Sequence, residues 1–227
     1  MSALSANCKT ILLYTLYILY FYFFISVVSV ISVGAQANYP ETISALRTAY
    51  QNEMTVFHAY IAYAEKAESE DYPNIAKLFM SIANSESIHA RNFKRILTEL
   101  KVDLKDIPSP KLTVLTTKEN LKCLTEKEVK EIDQTYPLLI KRIKPEKHEA
   151  AIDTMSWAWK SEEQHRDLLK KIHSGTGMLF KAMAKIIEVT LMHFFVCQVC
   201  GSTVLKLPTK ACLICGNPVS NYKEMGK

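Results

Sequence analysis

Between residues 40 and 172, apolar positions recur every third or fourth residue in four stretches, the spacing of amphipathic helices. The first opens at Pro40-Glu41, where proline suits a first helical turn. It runs to Ser69 through Leu46, Ala49, Tyr50, Glu53, Phe57, Tyr60, Ile61 and Ala64. Asp71-Tyr72-Pro73-Asn74 forms a turn, and a second stripe follows: Ile75, Leu78, Phe79, Ile82, Glu86, His89, Phe93 and Leu97. Val102 to Thr116, with Pro108 and Pro110, is a connection long enough to cross a bundle end to end. Thr116-Thr117-Lys118-Glu119 has the form of a capping box and starts a third helix. That helix continues to Ile143, with a kink at Pro137. Pro145 starts the fourth, which runs to Ile172 and is closed by Ser174-Gly175-Thr176-Gly177. No glycine interrupts the chain between Gly34 and Gly175, in keeping with long helices. The pattern predicts a mainly α fold, with a four-helix bundle over 38–175. A linker over 176–195 holds a short helix and then a strand, and a small cysteine-bearing module covers 196–227.

Polar residues interrupt the apolar stripes at matching depths. Glu86-Ser87-Ile88-His89 and Glu162-Glu163-Gln164-His165 each place a Glu and a His three residues apart. That is just under one turn, so both side chains of a pair point at one target. Glu53 sits one turn from Ala49 and from Phe57, where a carboxylate is costly unless it is paired or bound to a cation. The third helix offers Glu128 and Glu131, again three apart. Five carboxylates and two imidazoles from four helices match a carboxylate-bridged di-metal site within a bundle. Hard oxygen donors with imidazole suit iron or manganese. A lone Glu-x-x-His is usually a solvated pair; two copies on separate helices, with acids at matching depth on the other two, point to ligation. Glu126 and Glu163 compete with Glu128 and Glu162, and the three-residue relation to Glu131 and His165 selects the latter two. His58, His148, His173 and His193 have no carboxylate one turn away and read as surface or packing residues.

Six cysteines are present, and four of them fall in the last 31 residues. Cys197-Gln198-Val199-Cys200-Gly201 and Cys212-Leu213-Ile214-Cys215-Gly216 are two Cys-x-x-Cys-Gly knuckles, eleven residues apart. The glycine of each permits a tight turn. Four thiolates in a tetrahedron bind one iron or one zinc. A disulfide framework is the alternative for an exported chain, and the regular spacing argues against it. Cys123 reads as a packing residue. At the other end, Thr10 to Ala35 carries no charge, Lys9 precedes it, and Ala35-Gln36-Ala37 matches a small-x-small cleavage pattern. Residues 1–37 therefore read as a signal peptide cut after Ala37, or as an uncleaved membrane anchor. Both readings make the body exported: periplasmic, or anchored on the non-cytoplasmic side of a membrane. The net charge of +5 is modest, and no basic stripe interleaves with aromatics, which argues against a nucleic-acid partner.

These residues resemble those of the rubrerythrin family, a ferritin-like di-iron bundle followed by a rubredoxin-like Fe(Cys)4 domain. The resemblance covers nearly everything after residue 37. Its most specific stretch runs from Asn120-Leu121-Lys122 through Glu126, Glu128 and Glu131 to Tyr136-Pro137. It implies Glu86 and Glu162 as bridging carboxylates of an oxo- and carboxylate-bridged iron pair, Glu53 and Glu128 as terminal ones, and His165 as a permanent ligand. Glu131 and His89 would exchange on one iron as its oxidation state changes. Tyr60 and Tyr136 fall where the family places tyrosines near the cluster, and with Glu131 they are the implied catalytic residues. Cys197, Cys200, Cys212 and Cys215 would hold the single iron, with zinc as the other candidate. The implied activity is a peroxidase, reducing hydrogen peroxide to water with electrons passed through the Fe(Cys)4 centre from a redox-protein donor. The two centres are expected far apart within one chain, so a head-to-tail homodimer is implied. Three features depart from the family: the export segment, Leu213 where proline is common, and the apolar stretch 178–195. The competing readings are iron oxidation and storage with dioxygen, and a metal-free bundle whose zinc ribbon mediates contacts.

Overall fold

The computed structural model describes residues 38–104, 111–173, 179–190 and 192–226. The proposed export segment, Pro108, Pro110 and the Ser174–Gly177 stop lie outside the described residues. Among the described residues no helix is long and apolar enough to cross a membrane.

Helices α1 (Pro40–Ser69) and α2 (Pro73–Glu99) form a long hairpin, turned by Asp71 at φ 62°. Both begin with proline, and neither is capped by its own N-cap side chain. Carboxylates from elsewhere in the chain cap them instead. Glu146 accepts from the Glu41 and Thr42 amides at 2.9 and 2.8 Å. Glu188 accepts from those of Asn74 and Ile75 at 2.7 and 3.2 Å. A negative charge at a helix N-terminus also meets the positive end of its dipole. Helix α3 (Thr117–Lys130) has the expected reciprocal box between Thr116 and Glu119.

The third helix does not run on to Ile143 with a simple kink. It widens into a π-helical turn over Glu131–Thr135 and resumes as α4 (Tyr136–Ile143). Pro137 explains this: its ring would strike the carbonyl four residues back, and a wider turn before it relieves the clash. Trp159 Nε1 donates to the Ile132 carbonyl at 2.9 Å and pins the turn. Pro145 does not start the next helix either. It lies in a 3-10 turn, Lys144–Glu146; Lys147 follows in the left-handed region, and α5 spans Glu149–His173. Helix α6 (Leu179–Val189) packs Phe180, Ala184 and Ile187 onto the bundle core. The C-terminal module is a three-stranded antiparallel sheet of order β2-β1-β3, with β1 Phe195–Cys197, β2 Thr203–Val204 and β3 Tyr222–Glu224.

The apolar core is divided. One cluster gathers Tyr60, Ile75, Phe79, Ile82, Leu121 and Leu169; the other gathers Leu46, Phe93, Leu97, Tyr136, Ile143 and Met155. On α1, α2, α3 with its π turn, and α5, the segment between the two clusters carries Glu53, Glu86 with His89, Glu128 with Glu131, and Glu162 with His165. The bundle is thus two apolar layers around one layer of buried acids and imidazoles.

Candidate metal centres

All seven of these side chains are buried, at 5% exposure or less. Six form two overlapping four-residue groups. Glu53, Glu86, His89 and Glu162 make one, and Glu86, Glu128, Glu162 and His165 the other; within each, one ligand atom per residue lies within 4.8 Å of the rest. Glu86 and Glu162 belong to both. Glu86 turns Oε2 to His89 Nδ1 (3.0 Å) and Oε1 to His165 Nδ1 (3.2 Å). Glu162 turns Oε1 to His89 (3.2 Å) and Oε2 to His165 (2.8 Å). Each carboxylate thus presents one oxygen to each half of the site, as a bridge requires. Glu53 and Glu128 lie on either side and accept hydrogen bonds from Tyr136 Oη and Tyr60 Oη respectively. Glu131 belongs to neither group; its Oε1 is held by Lys127 Nζ at 2.5 Å. Glu126 and Glu163, the competing acids, are exposed.

The charges show what the layer lacks. Burial drives Glu53 and Glu128 well above the ordinary carboxylate value, and the Glu86 and Glu162 charges add to this. Burial also pushes Glu86 and Glu162 upward, but the two imidazoles outweigh it and hold both below the ordinary value. Burial lowers His89 and His165, and the same two carboxylates overcome it, raising each to about 10. Glu53 Oε2, Glu86 Oε1, Glu128 Oε2 and Glu162 Oε1 are buried without an aligned hydrogen-bond donor. Buried carboxylate oxygens left this way are costly without a cation. The donor set fits a pair of hard divalent or trivalent ions.

The cysteines form a second centre. Cys197, Cys200, Cys212 and Cys215 converge as free thiols, with Sγ–Sγ separations of 3.8 Å (Cys197–Cys215) and 3.6 Å (Cys200–Cys212). A tetrahedron with metal–sulfur bonds of about 2.3 Å has edges of about 3.8 Å. Contact with Cys197 raises the Cys200 thiol far above its ordinary value and lowers that of Cys212, as crowded thiols sharing one charge behave. The cluster fits a tetrahedral ion and not a disulfide framework. Tyr222 Oη donates to Cys212 Sγ at 3.2 Å, and Asn217 Nδ2 to Cys215 Sγ at 3.4 Å. Cys123 is exposed rather than packed.

A profile of the Rubrerythrin family matches residues 44–173. The chain belongs to the rubrerythrin family. Rubrerythrin-2 of Clostridium acetobutylicum is 29% identical over 175 residues, covering 77% of this chain and 91% of the relative. Rubrerythrin of Porphyromonas gingivalis is 26% identical over 188 residues, covering 82% and 90%. Nigerythrin in its fully reduced, all-ferrous state superposes with a TM-score of 0.68 at 21% identity, over 85% of this chain and 91% of that one. This rubrerythrin-family protein is accordingly an iron-dependent oxidoreductase with a ferritin-like bundle. The layer of acids and imidazoles fits the di-iron centre, and the four cysteines fit a rubredoxin-like iron site.

The two centres are neighbours within one chain, contrary to the expected separation. His89 and His165 turn Nδ1 inward and Nε2 outward, toward the cysteine module. His89 Nε2 meets the Cys200 carbonyl at 3.1 Å, and His165 Nε2 meets Thr203 Oγ1 at 3.3 Å. Further bundle side chains donate to the first knuckle's carbonyls. Arg91 Nη2 donates to Gln198 (2.6 Å), Asn92 Nδ2 to Val199 (2.7 Å), Ser85 Oγ to Gly201 (2.6 Å) and Ser161 Oγ to Cys200 (3.3 Å). Gln164 Oε1 accepts from the Thr203 amide and from Ser202 Oγ, each at 3.0 Å. Sequence reasoning missed Ser85, Ser161, Gln164, Thr203 and Lys127. The available signals were the polarity of Ser85 and Ser161 within apolar stripes and the i, i+4 relation of Lys127 to Glu131. His193, half-exposed as a surface residue, pairs with Glu224 across the sheet at 2.6 Å.

Proposed function

We propose that this protein reduces hydrogen peroxide to two waters, consuming two protons and two electrons, and that the cysteine centre relays the electrons from an external redox protein. The observation that carries the reading is the adjacency of a six-donor di-metal layer and a four-cysteine centre through His89 and Cys200. Bound iron would supply two electrons, one from each ion, together with positive charge at both peroxide oxygens.

The chain's own residues do the rest. Glu86 and Glu162 would be shared by both metal positions, with Glu53 and His89 completing one ligand set and Glu128 and His165 the other. Tyr60 and Tyr136 are held protonated: burial, then the facing Glu128 or Glu53, raises each well above the ordinary phenol value. Each therefore keeps a proton at Oη that orients a terminal carboxylate and can be shared with oxygen chemistry beside it. The two apolar layers exclude bulk water. His89 Nε2–H donates to the carbonyl of Cys200, itself a thiolate donor, and this gives a direct bonded link between the centres. The tautomer follows, because an imidazole that ligates through Nδ1 carries its proton on Nε2. A head-to-tail homodimer is compatible with this link if partners exchange cysteine modules and keep the same contacts; it is not needed to bring the centres together.

The decisive experiment mixes anaerobically reduced protein with peroxide or with dioxygen in a stopped-flow instrument. Faster oxidation by peroxide is expected. Preference for dioxygen would favour iron oxidation instead. The uncharged stretch Thr10–Ala35 supports placing the domains on the non-cytoplasmic side. N-terminal sequencing of the mature protein tests this: a start at Asn38 supports cleavage, and an intact N-terminus on cytosolic protein contradicts export.

A further inference from the structure

The cysteine centre has a hydroxyl contact that its two knuckles do not supply. Strand β3 pairs Tyr222 with Cys197 on β1, which sets the phenol against the buried thiols. Tyr222 Oη lies 3.2 Å from Cys212 Sγ and 2.9 Å from Ser202 Oγ. Ser202 is fully buried, and its Oγ lies 3.0 Å from Gln164 Oε1 on α5. Two hydroxyl protons therefore face three further acceptors: Gln164 Oε1, Tyr222 Oη and Cys212 Sγ. The Thr203 amide already donates to Gln164 Oε1 at 3.0 Å. With the Ser202 proton on Gln164, that oxygen has two donors. With the Ser202 proton turned to Tyr222, and that of Tyr222 on Cys212, each of the three acceptors has one.

We propose that Tyr222 is a positioning residue for the cysteine centre, and that its hydroxyl, backed by Ser202, raises the reduction potential by hydrogen-bonding Cys212. Reduction brings one electron onto the thiolate-bound iron and makes the cage one charge more negative. No proton is taken up, and the two hydroxyl protons turn while staying on their own oxygens. The added charge is shared by the sulfurs, so a donor aimed at one of them favours the reduced form. Ser202 acts through Tyr222, because a hydroxyl that accepts a hydrogen bond becomes a stronger donor. The inference rests on the rubredoxin-like iron site and is independent of which oxidant the bundle takes.

The test is an anaerobic redox titration of the full iron-loaded protein, followed at the Fe–thiolate absorption in the presence of mediator dyes. Tyr222→Phe keeps the ring and removes the hydroxyl. At a fixed applied potential it should shift the reduced-to-oxidised ratio about tenfold toward oxidised, a midpoint about 59 mV lower for one electron. Ser202→Ala should shift the ratio the same way by about threefold, and it serves should the phenylalanine variant not fold. In a Tyr222→Phe background, Ser202→Ala should add nothing. An unchanged or raised midpoint in either single variant overturns the proposal. So does a Ser202→Ala shift that persists in full without the Tyr222 hydroxyl, since Ser202 would then act by another route. A wild-type protein with no reducible Fe–thiolate band overturns the iron assignment itself, and the proposal falls with it.

Discussion

The two cysteine knuckles share one pattern and have opposite surroundings. The first, Cys197–Gly201, is pressed against α2 and α5, with four of its carbonyls taken by bundle side chains. A Cβ on Gly201 would lie 2.4 Å from His89 Nε2 and 2.6 Å from Ser85 Oγ. The second, Cys212–Gly216, faces away: Leu213 is 86% exposed, and a Cβ on Gly216 would meet nothing within 4 Å. Both glycines have positive φ, at 84° and 71°, so each is needed for its turn, but only Gly201 is also needed for an approach. The inner knuckle is the module's contact with the layer of acids and imidazoles, and under the proposed function the exposed outer one is the side a donor would meet.

Gly201→Ala should separate the two most sharply. The clash with His89 and Ser85 pushes the module off the bundle, and re-reduction of the oxidised bundle site should slow by about 100-fold or more, the scale of losing a positioned contact; stopped-flow absorbance of the Fe–thiolate band checks this. Raising the pH probes the bundle face of that contact without mutation. In metal-free protein His89 and His165 are raised to about 10. Their ion pairs therefore stabilise the fold fully below the ordinary histidine value near 6.5, and that contribution is lost as pH rises toward 10. Thermal melts should show a loss on the order of 3 kcal/mol across that window. Metal loading at pH 7 should release a proton from each imidazole, measurable in weak buffer. Ser85→Ala removes one buried bond to the inner knuckle and should cost about 1 kcal/mol, with a smaller slowing of internal transfer. Gly216→Ala should cost about 1–2 kcal/mol of backbone strain in the module and leave internal transfer unchanged. Leu213→Ser should change stability by less than about 0.5 kcal/mol. A slowing of internal transfer by Gly216→Ala comparable to that of Gly201→Ala would erase the distinction.

The ligand layer was readable because helices repeat. Glu53, Glu86, His89, Glu128, Glu162 and His165 interrupt apolar stripes at one depth, and a buried acid in such a stripe announces a partner. The knuckles were readable because their spacing is local. What escaped depends on contacts between distant segments. Nothing in Cys-x-x-Cys-Gly says which copy will meet α2, because that choice is made by Ser85, Arg91 and Asn92, more than a hundred residues away. Pro137 signalled a disturbance, but the sequence does not say whether a helix answers proline by kinking or by widening. The pairing of Lys127 with Glu131 was in principle visible as an i, i+4 relation. It was obscured because such pairs are usually solvated, and only the burial of Glu131 makes this one matter.

The proposed function rests on direct coupling between the centres. A single turnover of fully reduced protein with one equivalent of peroxide, followed at the Fe–thiolate absorption over a range of protein concentrations, tests it. The cysteine-bound iron should become oxidised after the bundle, at a rate independent of protein concentration and slowed about 100-fold or more by Gly201→Ala. A rate that rises in proportion to protein concentration, or a cysteine centre that stays reduced while the bundle turns over, would contradict it.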